Sequence, residues 1–162
     1  MNASSVRIIC FDWGDTLMLD DGPRDLPMAL WPEVHVVQGA VQMLDRLHGR
    51  FPLCIATNAT MAPKPMVEQT LERGAMRHHF SDIFTFTELG LKKDTPEFWR
   101  IVATRMGVAI DEIAMLGDTL ESDVLAPTRY GVQAVWFNPQ SLAVSRGVTA
   151  VRRLEDFSAL FD

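Results

Sequence analysis

Cysteine is nearly absent: the chain has two in 162 residues, Cys10 and Cys54, each inside an apolar run. Two such thiols do not make a disulfide framework. Buried and reduced, they point to a cytoplasmic chain. Histidine is sparse too. His35, His48, His78 and His79 have no ligand spacing with cysteine or with one another, so they read as surface or core residues and not as a zinc site. Long apolar runs are missing, which argues against a membrane span. The N-terminus has only a short apolar stretch before acidic residues and is no secretory signal. Positive charge is in deficit, 15 Lys and Arg against 21 Asp and Glu for a net −6. That weighs against a general nucleic-acid surface. Repeats, low-complexity tracts and linkers are absent as well.

What remains is an ordinary globular composition, 48% hydrophobic and 22% charged. A chain of this length can bury one real core, and a single domain over residues 1–162 is expected. Five short apolar runs stand out: VRIICF (6–11), PLCIA (52–56), IFTF (83–86), IAML (113–116) and VQAVWF (132–137). They are continuous, not alternating, as in strands covered on both faces. Helical stripes lie between them: Val37, Val41, Leu44 and Leu47; Met66, Val67, Thr70 and Leu71; Phe98, Ile101, Val102 and Met106; Leu154, Phe157, Leu160 and Phe161. A further helix, kinked or short because of Pro127, is expected between Ser122 and Tyr130. Alternating strands and helices predict an α/β fold with a doubly wound, Rossmann-like parallel sheet. The least regular run, Met18 to Glu33, carries three prolines and reads as a flap or minimal cap over 17–34.

Ligands of open parallel sheets bind beyond the carboxyl ends of the strands. Those ends carry Asp12 and Asp15, then Thr57 and Asn58, then Lys92 and Lys93, then Gly117, Asp118 and Asp123. Crowded carboxylates repel unless a cation compensates, and a hard divalent ion with oxygen ligands is the simplest one. A lysine and a hydroxyl suit the oxygens of a phosphate. An aspartate can attack phosphorus and form an aspartyl-phosphate.

Four motifs in order carry a resemblance that spans nearly the whole chain: FDWGDTL (11–17), CIATNA (54–59), KKDTPEFW (92–99) and LGDTLESD (116–123). Together they resemble the haloacid dehalogenase (HAD) superfamily, whose members are mostly Mg²⁺-dependent phosphatases. The resemblance implies Asp12 as nucleophile, and Thr57 and Asn58 with Lys93 as phosphate-binding groups. It places Mg²⁺ on Asp12, the Gly14 carbonyl, Asp118 and Asp123. Pro96, three residues after Lys93, favours that lysine over Lys92. The family order is Asp-x-Asp-Gly-Thr; here Gly14 stands where the acid/base aspartate is expected and Asp15 comes one residue late.

That displacement leaves alternatives. Asp15 swings in as acid/base, or a good leaving group needs less help, or the chain binds without turning over. A dehalogenase is disfavoured by the acidic fourth motif and the missing cap, and a phospho-receiver domain by an Asp that ends the first strand. Neither gap between motifs has room for a globular cap, so the site is open to a small or macromolecular phosphorylated substrate unless a second subunit covers it.

Overall fold

The computed structural model describes residues 1–162. Strands β1 (Ile8–Phe11), β2 (Leu53–Thr57), β3 (Phe80–Thr85), β4 (Ile113–Gly117), β5 (Gln133–Phe137) and β6 (Thr149–Val151) form one sheet in the order β3-β2-β1-β4-β5-β6. Every pairing is parallel. The helices are α1 (Ala40–Leu47), α2 (Lys64–Arg73), α3 (Phe86–Leu89), α4 (Pro96–Met106), α5 (Ala126–Arg129) and α6 (Leu154–Ala159). None is long and apolar enough to cross a membrane.

Side chains alternate faces along a strand, so the continuous apolar runs feed two cores. Ile9, Phe11, Leu53, Ile55, Ala114 and Leu116 point to the face covered by α1, α2 and α6. Ile8, Cys10, Cys54, Ala56, Ile113 and Met115 point to the other, against Phe98, Trp99 and Val102 of α4. Cys10 and Cys54 are register partners on β1 and β2, both buried and unpaired by any disulfide. The hydrogen bond with Cys54, and then burial, push the Cys10 thiol well above its usual range.

The structure corrects the sequence reading at four places. β6 was not anticipated; its three residues are mostly half-buried at the sheet edge, too short for a periodic signal. The third apolar run is split, because β3 ends at Thr85 and Phe86 opens α3, with the Thr85 hydroxyl accepting from the Glu88 N–H at 3.2 Å. Val37 precedes α1 and does not belong to it. The expected helix from Ser122 to Tyr130 starts earlier, as a π-helical segment over Leu120–Leu125 that leads into α5. Such a wide turn absorbs an extra residue and commonly marks a site.

Candidate active site

The ladder of β1 continues one residue past the strand: the Asp12 N–H donates to the Leu116 carbonyl at 2.9 Å. The Asp12 side chain therefore leaves the sheet at its carboxyl edge. Oδ1 accepts from Lys93 Nζ at 2.6 Å. Oδ2 has one long contact, 3.5 Å from Thr16 Oγ1. The same hydroxyl stands 3.3 Å from Asp118 Oδ1, and its one proton can serve only one carboxylate at a time.

Lys93 is 2% exposed, and a buried ammonium needs partners. Nζ has two, Asp12 Oδ1 and Asp123 Oδ1, the latter at 2.7 Å. The backbone is tied on both sides. Its N–H donates to Asn58 Oδ1 at 2.8 Å, and its carbonyl accepts from the Trp99 indole at 2.7 Å. Lys92 is exposed and lies over the Phe86 ring instead.

Asp123 is 1% exposed. Its Oδ2 accepts from the Thr119 N–H at 3.0 Å, at the start of the π-helical segment. Asp123 thus satisfies a helix start and pairs with Lys93 at once. Glycine is required at 117 because the Asp123 carboxylate packs on its Cα: a Cβ there would stand 2.3 Å from Oδ2. Thr57, buried at the end of β2, accepts the Ala59 N–H at 3.1 Å, which leaves its own O–H free to donate. Asn58 has its carbonyl oxygen committed to Lys93 and its NH₂ still to offer.

Three carboxylates share one ammonium. Burial pushes the Asp12 carboxyl up to about 8; Lys93 opposes the rise, and Asp123 and Asp118 add to it. Asp118 is raised as well, by burial and then by Asp123. Burial works against the Lys93 charge, but Asp12 and Asp123 outweigh it and hold its pKa above the ordinary lysine value. Oxygens of Asp12, Asp118 and Asp123 lie within 4.8 Å of one another. The Gly14 carbonyl accepts no hydrogen bond from the protein. An all-oxygen, anionic donor set with too little positive charge fits a hard divalent cation.

Asp15 is not brought to the same place. It adopts a left-handed backbone with φ 55°, the conformation that glycine and, next best, Asn or Asp tolerate. Its carboxylate accepts the Asp20 N–H at 2.9 Å. It lines a separate cavity with Asp118, Trp136 and Asn138. The sequence expectation that Asp15 swings in as acid/base meets a backbone that makes Asp15 the turn residue and gives its carboxylate the Asp20 N–H. Asp20 was missed. It lines the cavity of about 340 Å³ that holds Asp12, Gly14, Thr57, Asn58, Lys93 and Asp123. Its Cβ stands 4.0 Å from where a side chain at Gly14 would begin. No sequence spacing marks it, because it reaches the site through the chain reversal at Asp15.

The segment after Asp20 walls this cavity with Arg24, Leu26, Pro27 and Met28. Met28 and Trp31 pack into the core on the α1–α2 side, whereas Leu30 is 55% exposed. Trp31 covers Gly22, which has no room for a side chain.

A sequence model of haloacid dehalogenase-like hydrolases matches residues 30–131. Phosphoserine phosphatase of Thermus thermophilus is 37% identical over 68 residues, 42% of this chain and 27% of that protein. Pyrimidine 5'-nucleotidase YjjG of Escherichia coli is 27% identical over 124 residues, 72% of this chain and 54% of that protein. The chain therefore spans about half, or less, of these curated relatives. Among solved structures, the HAD-hydrolase YfnB of Bacillus subtilis, bound to magnesium, superposes with a TM-score of 0.79 at 16% identity, covering 97% of this chain and 99% of that one. A 2-haloacid dehalogenase from Pseudomonas syringae superposes at 0.77 and 15%, covering 96% and 97%. These two likenesses concern the fold alone.

Proposed function

The chain belongs to the haloacid dehalogenase-like hydrolases, and from that premise we propose that it is a Mg²⁺-dependent phosphatase of small phosphate monoesters, with Asp12 as nucleophile. The observation that carries this reading is the Asp12–Lys93–Asp123 cluster with Asp118 beside it, an anionic oxygen site next to a buried cation. Phosphatase and nucleotidase relatives support phosphoryl chemistry, and the acidic fourth motif supports it over dehalogenation. The cavity volume suits a small-molecule ligand.

Asp12, Asp118, Asp123 and the Gly14 carbonyl would hold the metal, which when bound supplies positive charge beside the phosphoryl oxygens. Lys93 and the Thr57 hydroxyl hold those oxygens, with the Asn58 NH₂ as a further donor. Asp12 Oδ2, the freer oxygen, forms a bond to phosphorus as the ester P–O bond breaks. The departing oxygen takes a proton from Asp20 at the cavity wall. Water then attacks the aspartyl-phosphate, gives its proton to Asp20 and releases inorganic phosphate and the Asp12 carboxylate. Asp20 thus takes the task that the sequence assigned to Asp15.

One feature favours a second reading, a binding protein without turnover: the acid/base position in the first motif holds glycine. Hydrolysis of a panel of phosphate compounds, with and without Mg²⁺, separates the two. Mg²⁺-dependent turnover that falls by more than about 10³ in Asp12→Asn supports the phosphatase. Mg²⁺ binding with no turnover on alkyl, aryl, sugar or acyl phosphates supports the binding protein.

A further inference from the structure

We propose that Asp45, His78 and His79, with His48 beside them, form a second metal site for a borderline divalent transition-metal ion such as Zn²⁺. The site lies at the amino ends of β2 and β3, across the sheet from Asp12, and is independent of the phosphatase reading. The sequence shows no ligand spacing here because the residues come from two elements, the end of α1 and the turn at Arg77–His79 before β3.

The donors converge. Ligand atoms of Asp45, His78 and His79 lie within 4.8 Å of one another. The His78 and His79 rings stand 3.9 Å apart, and the His48 ring is 5.5 Å from His79 and 6.3 Å from His78. The tautomers are fixed from behind. A carbonyl oxygen only accepts, so His79 Nδ1–H donates to Met76 O at 3.1 Å and His48 Nδ1–H to His79 O at 3.2 Å. Nε2 of each ring is then the nitrogen that faces away from these carbonyls. Backbone carbonyls behind metal-binding histidines do the same.

His79 is the buried member of the cluster. It is 2% exposed, and its Nε2 stands 2.7 Å from Asp45 Oδ1, a separation that either a proton or a metal ion bridges. Two acceptors at that distance repel unless a cation joins them. A metal ion bound to both, with His78 as third ligand and water or His48 as fourth, meets the demand. Imidazole and carboxylate in a four-coordinate arrangement suit Zn²⁺, whereas the active-site carboxylates suit Mg²⁺.

The test is Zn²⁺ binding to the full chain in millimolar Mg²⁺, read by competition with a chromogenic zinc chelator. His78→Ala and Asp45→Asn serve as variants because both side chains are exposed and their loss leaves the core intact. Circular dichroism confirms that each variant is folded. We expect one equivalent bound at micromolar Zn²⁺ and at least an about tenfold weaker affinity in each variant. Co²⁺ substitution gives the visible absorption of a four-coordinate site in the wild type and not in His78→Ala. Absence of micromolar uptake, or uptake unchanged in both folded variants, overturns the proposal and leaves a proton as the cation between His79 and Asp45.

Discussion

No side chain fits between Gly117 and Asp123: a Cβ built on residue 117 stands 2.3 Å from Asp123 Oδ2 and 2.5 Å from its Cβ. Gly117→Ala must push the Asp123 carboxylate away, and buried Lys93 then loses one of its two partners. Lys93 keeps Asp12, so the cost is that of overpacking a buried site, about 1–3 kcal/mol. Urea unfolding of the variant is expected to show a loss of that order, along with lost phosphatase turnover. An unchanged midpoint and rate would mean that Asp123 can move without consequence.

Asp15 and Asp20 should separate cleanly. Asp15→Gly places glycine where the backbone already has φ 55°, so turnover should stay within about threefold of wild type, a margin far below a lost acid/base. Asp20→Asn should slow hydrolysis of alkyl phosphates by about 10²–10⁴ and spare acyl phosphates, whose leaving group needs no proton. The reverse pattern would return the acid/base task to Asp15.

Asn58→Ala removes the acceptor that holds the Lys93 N–H. The expected cost is about 1–3 kcal/mol for an unsatisfied buried donor, with a fall in kcat as the ammonium loses its fixed position. Steady-state kinetics and thermal unfolding together check this: a raised KM at constant kcat would instead mark Asn58 as a simple binding residue.

Asp82 offers a stability test remote from the site. Burial works against its carboxylate, but Lys64 Nζ at 2.9 Å, the Ile83 N–H at 2.8 Å and Arg105 at 3.6 Å outweigh it and hold its pKa below the usual range. A carboxyl with a depressed folded pKa contributes stability above its unfolded value, about 3.9, and loses it as the pH falls through the folded value. Wild type should exceed Asp82→Asn in urea midpoint at neutral pH, and the gap should close as the pH falls below the unfolded value and through the depressed folded one. A gap that persists there would refute the electrostatic account.

The sequence was most legible where physics is local. β1, β2, β4 and β5 are covered on both faces, so their residues form unbroken apolar runs. Pro96 fixed the start of α4 through its own ring geometry, and its spacing singled out Lys93. β6 escaped notice because Thr149–Val151 has too few residues to show a period. The left-handed backbone of Asp15 was not legible, because the motif shows side-chain identity and not backbone handedness. Asp20 and the His78–His79–Asp45 cluster depend on chain reversals and on packing between distant elements, which no window of sequence contains.

Arg73 of α2 donates to the carbonyls of Ala29 and Pro32 at 3.2 and 3.0 Å, and the Trp31 indole donates to those of Pro23 and Leu26, both at 2.9 Å. The segment beside Asp20 is therefore clasped to a core helix at one end and wound around its own tryptophan at the other. It acts as masonry and not as a door. On the proposed reading, this wall selects substrates by its shape, and binding energy is not diverted into closing a lid.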